Sequence, residues 1–272
     1  MNIKINRDVL LKPLSNVSGI VEKRHALPIL SNLLLEGQDN NSLKFTATDL
    51  EVQITLNAKT EVPTDFSITI AARKLFDITR SLPEGSTIDL QVEESKVVLK
   101  AGKSKFNLQT LPAKDYPVMK LSEEEKKQIR VPQNQLKAKL KQVDFSMAQQ
   151  DIRYYLNGLL FEVDGKKLNI VGTDGHRLSF TSLELKEPQE KFQTIIPRKT
   201  ILELIKLLDE TAEEVEIQLT KNQAYFSFQE INLISKVIDG KFPDYHRVIP
   251  VGHENKFDID RTQLLLLSLI HI

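Results

Sequence analysis

Leu33-Leu34-Leu35-Glu36 returns 126 residues later as Leu159-Leu160-Phe161-Glu162. Outward from these two runs, Thr48-Asp49 is echoed by Thr173-Asp174 and Arg73-Lys74 by Arg198-Lys199, both at an offset of 125. Tyr116-Pro117 is echoed by Phe242-Pro243, and Leu10, Leu14 and Val17 by Leu136, Leu140 and Val143, all at 126. One such pair is weak, but five in one order define a repeat. Its period is far longer than the roughly 20 to 50 residues of solenoid layers, so each copy is expected to be a whole domain. The copies are placed at 1–125 and 126–252. Lys256 to Leu264 then reads like the opening of each copy, a short strand, a polar cap and a Leu-bearing helix start, so 253–272 is expected to begin a truncated third copy. The closing Leu267-Ser268-Leu269-Ile270-His271-Ile272 matches the translation of a transposase mosaic-end adapter and is expected to lie outside the natural frame.

Composition agrees with this modular reading. The chain has 272 residues, 37 Lys+Arg against 37 Asp+Glu, and 40% hydrophobic residues, as a globular protein of about two domains does. Zero cysteines exclude disulfides, thiolate catalysis and Cys-ligated metal, and fit a reducing cytoplasm, the expected location. Met1 to Leu11 carries Lys4, Arg7 and Asp8 and does not read as a secretory signal. The longest apolar run, Leu264 to Ile272, is about half of the roughly 20 residues a membrane helix needs.

Within a copy, Asn6 or Asp8 can cap a helix carrying Leu10, Leu14 and Val17 at helical spacing. Strands follow, two of them within Leu43 to Leu56. A second helix opens at the Ala-Arg-Lys or Pro-Arg-Lys entry, with Phe76, Thr79 and Ser81-Leu82 in one copy and Ile201, Leu204, Ile205 and Leu208 in the other. More strands come at Ile88 to Leu99, Lys105 to Leu111, Val215 to Leu219 and Ala224 to Ile238. Two helices and many strands per copy make an α+β fold.

The helices share a feature on their outer faces. Arg73, Asp77 and Arg80, Lys137 and Lys141, and Lys199 and Lys206 stand at spacings that put the basic residues of each helix on one stripe. A solvated face explains any one stripe, whereas recurrence on repeated helices points to a polyanion. Such a surface would be local, since 16 Lys+Arg stand against 17 Asp+Glu up to residue 125 and 21 against 20 after it. Arg153-Tyr154-Tyr155-Leu156, preceded by Gln149-Gln150, mixes a cation, aromatics and amides of the kind that grip phosphates and stack on bases. Read as a strand, it would turn one tyrosine into the core. Thr173-Asp174-Gly175-His176-Arg177 carries an Asp-Gly hairpin signal between apolar strands. His25, His176, His246, His253 and His271 show no HxH or HExxH spacing, and no phosphate-cradling glycine motif is present. No metal, no cofactor and no catalytic residues are therefore assigned. Asp174 with His176 could form an acid/base pair, but no nucleophile stands beside them.

In order, the strings LKPLSNVSG, LPILSNLLLE, TDLE, ARKLFDI, RSLPEG, SKFNLQTLP, FSMAQQDIRYYLNGLLFE, TDGHRL, IPRK and DGKFPDYHRV resemble the bacterial DNA polymerase III beta subunit, the sliding-clamp family, from Met1 to about Pro250. The resemblance implies a DNA-clamp fold of repeated domains, each with two helices packed on antiparallel sheets. It also implies a non-catalytic processivity factor of DNA replication, working as a head-to-tail homodimeric ring around duplex DNA. Its partners would be DNA, the polymerase III alpha subunit, the clamp loader and other proteins with a clamp-binding motif.

By position within the matching strings, Arg24, Gln150 and Tyr154 would lie near DNA. The basic stripes add Arg73, Arg80, Lys137, Lys141, Lys199 and Lys206 as pore-lining candidates. The partner-peptide pocket would take Arg153, Tyr155, Leu156, Thr173, Gly175, His176, Arg177, Leu178, Pro243, Arg247 and Val248. Lys74, Lys103, Lys105, Phe106 and Leu108 would lie at the dimer interface. Members of the family continue for about another domain, which supplies the other half of the ring joint and the far wall of the pocket. The 272 residues are thus expected not to close a ring alone. Two other readings stand beside the clamp: a non-ring peptide-binding fragment, and a hydrolase built on Asp174 and His176.

Overall fold

The computed structural model describes the chain except for residues 1, 22–26, 39–40, 61, 63–65, 94, 124, 251, 253, 255–256 and 271–272, with only the backbone described at 269–270. It forms two compact units, Met1–Gly240 and Lys241–Ile272.

The first unit begins with strand β1 (Asn2–Asn6) running into helix α1 (Arg7–Val17). The Asn6 side chain accepts a hydrogen bond from the Asp8 backbone N–H at 2.8 Å, which makes Asn6 the N-cap. Leu10, Leu14 and Val17 are buried along one face of α1, as their spacing requires. Strands β2 (Asn32–Gln38), β3 (Ser42–Thr48), β4 (Val52–Lys59) and β5 (Ser67–Ala71) lead into helix α2 (Ala72–Ser81). Strands β6 (Thr87–Val92), β7 (Lys96–Ala101) and β8 (Ser104–Gln109) complete the first copy. The buried residues of α2 are Ala72, Leu75 and Thr79, so Leu75 takes the core position expected of Phe76, which is only partly covered.

The second copy repeats this order. Strand β9 (Lys127–Pro132) and helix α3 (Gln133–Val143) precede the long hairpin of β10 (Gly158–Thr173) and β11 (Leu178–Pro197). Helix α4 (Arg198–Leu207) and strands β12 (Glu214–Leu219), β13 (Gln223–Phe228) and β14 (Ile231–Lys236) follow. One hairpin thus covers the sequence span of four shorter strands in the first copy. Its ladder shifts register between Val163 and Lys167.

Three antiparallel sheets form among the described residues. The first has the order β1-β6-β7-β8, the second is the β10-β11 hairpin, and the third runs β5-β2-β3-β4-β14-β13-β12-β9. The last crosses from one copy to the other where β4 pairs with β14, Ile54 opposite Leu233 and Leu56 opposite Ile231. Leu33, Leu35, Phe45 and Ile54 from one copy and Leu159, Phe161, Phe226 and Leu233 from the other are buried within the same apolar cluster.

In the second unit, helix α5 (Arg261–Ile270) is capped by Asp260, whose side chain accepts from the Gln263 N–H at 2.8 Å. The expected cap and helix start are present. The expected preceding strand is not formed by the described residues 257–260. No described helix is long and apolar enough to cross a membrane.

Candidate nucleic-acid and peptide interface

The segment from Ala148 to Asn157 folds as a closed loop that ends in a single 3₁₀ turn over Tyr154–Leu156. Ala148 N–H donates to the Leu156 carbonyl at 3.0 Å. The Asn157 amide bridges Asp151, accepting from its N–H at 3.0 Å and donating to its carbonyl at 2.9 Å. The strand reading of Arg153-Tyr154-Tyr155-Leu156 is therefore corrected. Alternation does not apply in a 3₁₀ turn, where residues three apart share a side. Leu156, not a tyrosine, is the buried residue; Tyr154 is 58% exposed, Tyr155 half-buried, and their rings meet edge to face at 6.0 Å.

Across from this loop stands the turn Asp174-Gly175-His176-Arg177, which joins β10 to β11 with Thr173 opposite Leu178. Asp174 accepts from the backbone N–H groups of His176 at 2.9 Å and Arg177 at 3.1 Å. With the Arg177 guanidinium, these bonds hold its carboxyl below the usual range. Thr173 Oγ1 donates to the Arg177 carbonyl at 2.7 Å and accepts from the Gly175 N–H at 3.1 Å. The arrangement consumes Asp174 as a turn-former, which leaves the acid/base reading with His176 without a free carboxylate.

Arg153 ties loop to turn. Its guanidinium donates to Asp151 at 3.0 and 2.8 Å and to the Asp174 carbonyl at 3.2 Å. The Arg153 guanidinium and N–H beside Asp151 hold that carboxyl down to about 2. Gly175 has φ +89°, and a Cβ there would sit 3.0 Å from an Arg153 nitrogen. Glycine thus serves both the left-handed backbone and the close approach of the guanidinium. Beside the turn lies a cleft of about 480 Å³, lined by Phe145, Gln150, Asp151, His176, Arg177 and Arg198 among others. The Arg177 guanidinium stacks 5.4 Å over Phe145, and Gln150 holds φ +56° at the rim.

The structure brings together Arg153, Thr173, Gly175, Arg177 and Leu178, with Tyr155 and Leu156 on the turn that carries Arg153. Pro243, Arg247 and Val248 belong to the second unit, where all three are exposed and Arg247 pairs with Asp244 at 2.9 Å.

The basic candidates are more engaged than their spacing suggests. Lys137 donates to the Leu208 carbonyl at 2.7 Å, and its side chain is only 18% exposed, so it caps the end of α4. Arg73 donates to the Val21 carbonyl at 2.9 Å. Lys199 pairs with Asp49 of the first copy, and Lys206 with Glu203 at 2.7 Å. Arg80 lies 3.5 Å from Asp77, and Lys141 3.9 Å from Glu210, both largely exposed. Arg24 lies outside the described residues.

Of the interface candidates, Lys74, Lys103 and Lys105 are exposed and Phe106 partly so. Leu108 is 3% exposed and packed within the apolar cluster of the chain itself. Asp49 and Asp151 hold Lys199 and Arg153 in place. The Thr-Asp echo at 48–49 and 173–174 marks the first; nothing in the residue pattern marks the second.

The chain's comparisons with known proteins agree with one another. Residues 1–120 match the family model for the DNA polymerase III beta subunit, N-terminal domain, and residues 130–244 that for its central domain. The beta sliding clamp of Pseudomonas aeruginosa is 47% identical over 270 residues, covering 97% of this chain and 72% of the relative. That of Escherichia coli K12 is 41% identical over 251 residues, covering 92% and 68%. A crystal structure of the P. aeruginosa DNA polymerase III beta subunit superposes with a TM-score of 0.88 at 45% identity, covering 93% of this chain and 69% of that one. The P. aeruginosa clamp bound to griselimycin also gives 0.88, at 46% identity and the same coverage. By fold, then, this is an α+β DNA clamp. The chain belongs to the DNA polymerase III beta subunit family, the bacterial sliding clamps, and its function is processivity in DNA replication.

Proposed function

We propose that the chain forms part of a homodimeric ring that encircles duplex DNA and tethers the polymerase III alpha subunit, the clamp loader and other motif-bearing partners by short peptides, without catalysing a reaction itself. The domains would be 1–125 and 126–252, with 253–272 opening a third, and the working location the cytoplasm.

The observation that carries this reading is the seam between β4 and β14. In the repeat, β8 stands where β14 stands, Phe106 at the place of Leu233 and Leu108 at that of Ser235. The outer edge of β14 is filled by β4, whereas β8 pairs only with β7 among the described residues. A β4-type strand from another clamp domain fits the β8 edge and gives a head-to-tail joint. Leu108 would then contribute backbone, and Phe106 its side chain. Lys74 is the repeat counterpart of Lys199, which reaches across the observed seam to Asp49, so Lys74 would reach an acidic residue at the equivalent turn.

Arg24, Arg73, Arg80, Lys137, Lys141, Gln150, Tyr154, Lys199 and Lys206 would face DNA through phosphate contacts, which suit sliding because they carry no sequence information. Lys141 and Arg80, exposed and loosely paired, would contribute more than Lys137. The peptide pocket would be built on Leu156, Thr173, Gly175 and Leu178, with Arg153, Tyr155, His176 and Arg177 at its rim.

The test is a titration of a labelled peptide from a polymerase tail against the chain and its Leu178→Asp variant. The variant should lose binding, because it removes an apolar side chain against which a peptide anchor would pack and puts a charge in its place. Equal binding by both proteins would place the pocket elsewhere.

A further inference from the structure

The segment between the two copies does not hang free. Tyr116 anchors its start, with its hydroxyl accepting from the Thr48 N–H at 3.2 Å and donating to the Asn32 carbonyl at 3.2 Å. Three residues on, Gln53 of β4 takes hold of Met119. Its Oε1 accepts from the Met119 N–H at 2.7 Å, and its Nε2 donates to the Met119 carbonyl at 3.4 Å. Gln223 of β13 then takes the next stretch. Its Oε1 accepts from the Ser122 N–H at 2.8 Å, and its Nε2 donates to the Lys120 carbonyl at 3.1 Å.

Gln53 stands opposite Ile234 and Gln223 opposite Lys236, both on β14. The two amides therefore hold the linker on either side of the strand that closes the seam. The same end of the seam carries Lys236, whose N–H donates to the Glu51 carbonyl at 2.8 Å and whose ammonium lies 3.1 Å from the Glu51 carboxylate.

We propose that Gln53 and Gln223 are positioning residues: a pair of amide staples that fix the linker across the β4·β14 seam and make the two copies one stiff arc. A primary amide offers one donor and one acceptor side by side, so each staple satisfies two backbone groups as a strand neighbour would. Gln53 is 3% exposed, so its bonds compete little with water. The repeat counterpart of Gln53 is Leu178, which stands opposite Thr173 as Gln53 stands opposite Thr48, and its apolar side chain has no donor or acceptor with which to clasp a linker. The staple at Gln53 therefore belongs to this seam and not to the repeat in general. In a ring, bending would be displaced to the other joints; that consequence rests on the ring reading, whereas the stiffness can be measured on the chain alone.

The experiment is amide hydrogen exchange at Met119 and Ser122, together with pulsed electron–electron spin distances between labels at Lys4→Cys and Lys166→Cys, which the cysteine-free sequence makes unambiguous. Gln53→Ala should speed exchange at Met119, and Gln223→Ala at Ser122, each about threefold to tenfold, the factor set by one net hydrogen bond. Gln53→Glu keeps the acceptor and should leave Met119 protected, which separates the bond from packing. The double alanine variant should broaden the distance distribution. Far-ultraviolet circular dichroism checks folding, and Gln223→Ala at a partly exposed site keeps the test open if Gln53→Ala unfolds. Unchanged exchange at Ser122 in Gln223→Ala, or an unbroadened distribution in a folded double variant, would overturn the proposal.

Discussion

Replacing Gly175 by alanine tests the candidate site at its tightest point. The residue holds φ +89°, and an added Cβ would stand 3.0 Å from one Arg153 guanidinium nitrogen and 3.2 Å from the other. Alanine in left-handed backbone costs about 1 kcal/mol. The guanidinium must also retreat, which breaks its 3.2 Å bond to the Asp174 carbonyl, and one net hydrogen bond adds about 1 kcal/mol. The sum of about 2 kcal/mol lowers the melting temperature by roughly 4–8 °C for a cooperative unit of this size. Calorimetry and the peptide titration would be run on the parent, Gly175→Ala and Gly175→Asn. Asparagine tolerates positive φ but still carries a Cβ, so it should recover part of the stability while leaving Arg153 displaced and peptide binding weakened. A melting temperature for Gly175→Ala within 1 °C of the parent would refute both the strain and the guanidinium contact.

Three further outcomes are expected. Tyr116→Phe leaves the Thr48 N–H and the Asn32 carbonyl without their buried partner, and should destabilise the chain by about 1–3 kcal/mol in denaturant unfolding. The Asp151 carboxyl, held at about 2 by Arg153, lies below the ordinary value of 3.8. Its contribution to stability is therefore present above pH 4 and is lost as pH falls from 4 through 2. A carbon-13 titration of the carboxyl should show that low midpoint, and Arg153→Ala should move it back toward 3.8. Binding of the chain to duplex DNA should weaken steeply with salt, and Lys141→Ala should lower the slope of log K against log salt by about 1, equally for unrelated sequences, in fluorescence anisotropy.

The helix and strand spacing within each copy is enough to read the α+β class, while the clamp fold is what the family strings imply. The cap at Asn6, the apolar face of α1 and the hairpin after Thr173 follow from local chemistry that acts within a few residues. What escaped depends on distant neighbours. Arg153 to Leu156 carries strand-forming tyrosines, yet the Asn157 bridge to Asp151 closes the loop and turns the segment into 3₁₀ geometry. The stripe spacing shows that Lys137 and Lys199 project from helices, but not that the Leu208 carbonyl and Asp49 meet them. Gln53 and Gln223 look like any strand glutamines, since their partners lie 66 and about 100 residues away.

The edge of β8 also bears on how the molecule chooses its neighbours. An unfilled strand edge is an invitation to any extended chain, including another copy of itself. Here Lys103 and Lys105 stand on or beside that edge, and Lys96 and Lys100 flank it on β7. Two such edges brought together would confront cations with cations, whereas an edge bearing carboxylates would be drawn in. Self-recognition is thereby discouraged at the same edge where assembly is proposed. Added salt, by quieting the lysines, should blunt that discrimination before it loosens the apolar contact proposed for Phe106.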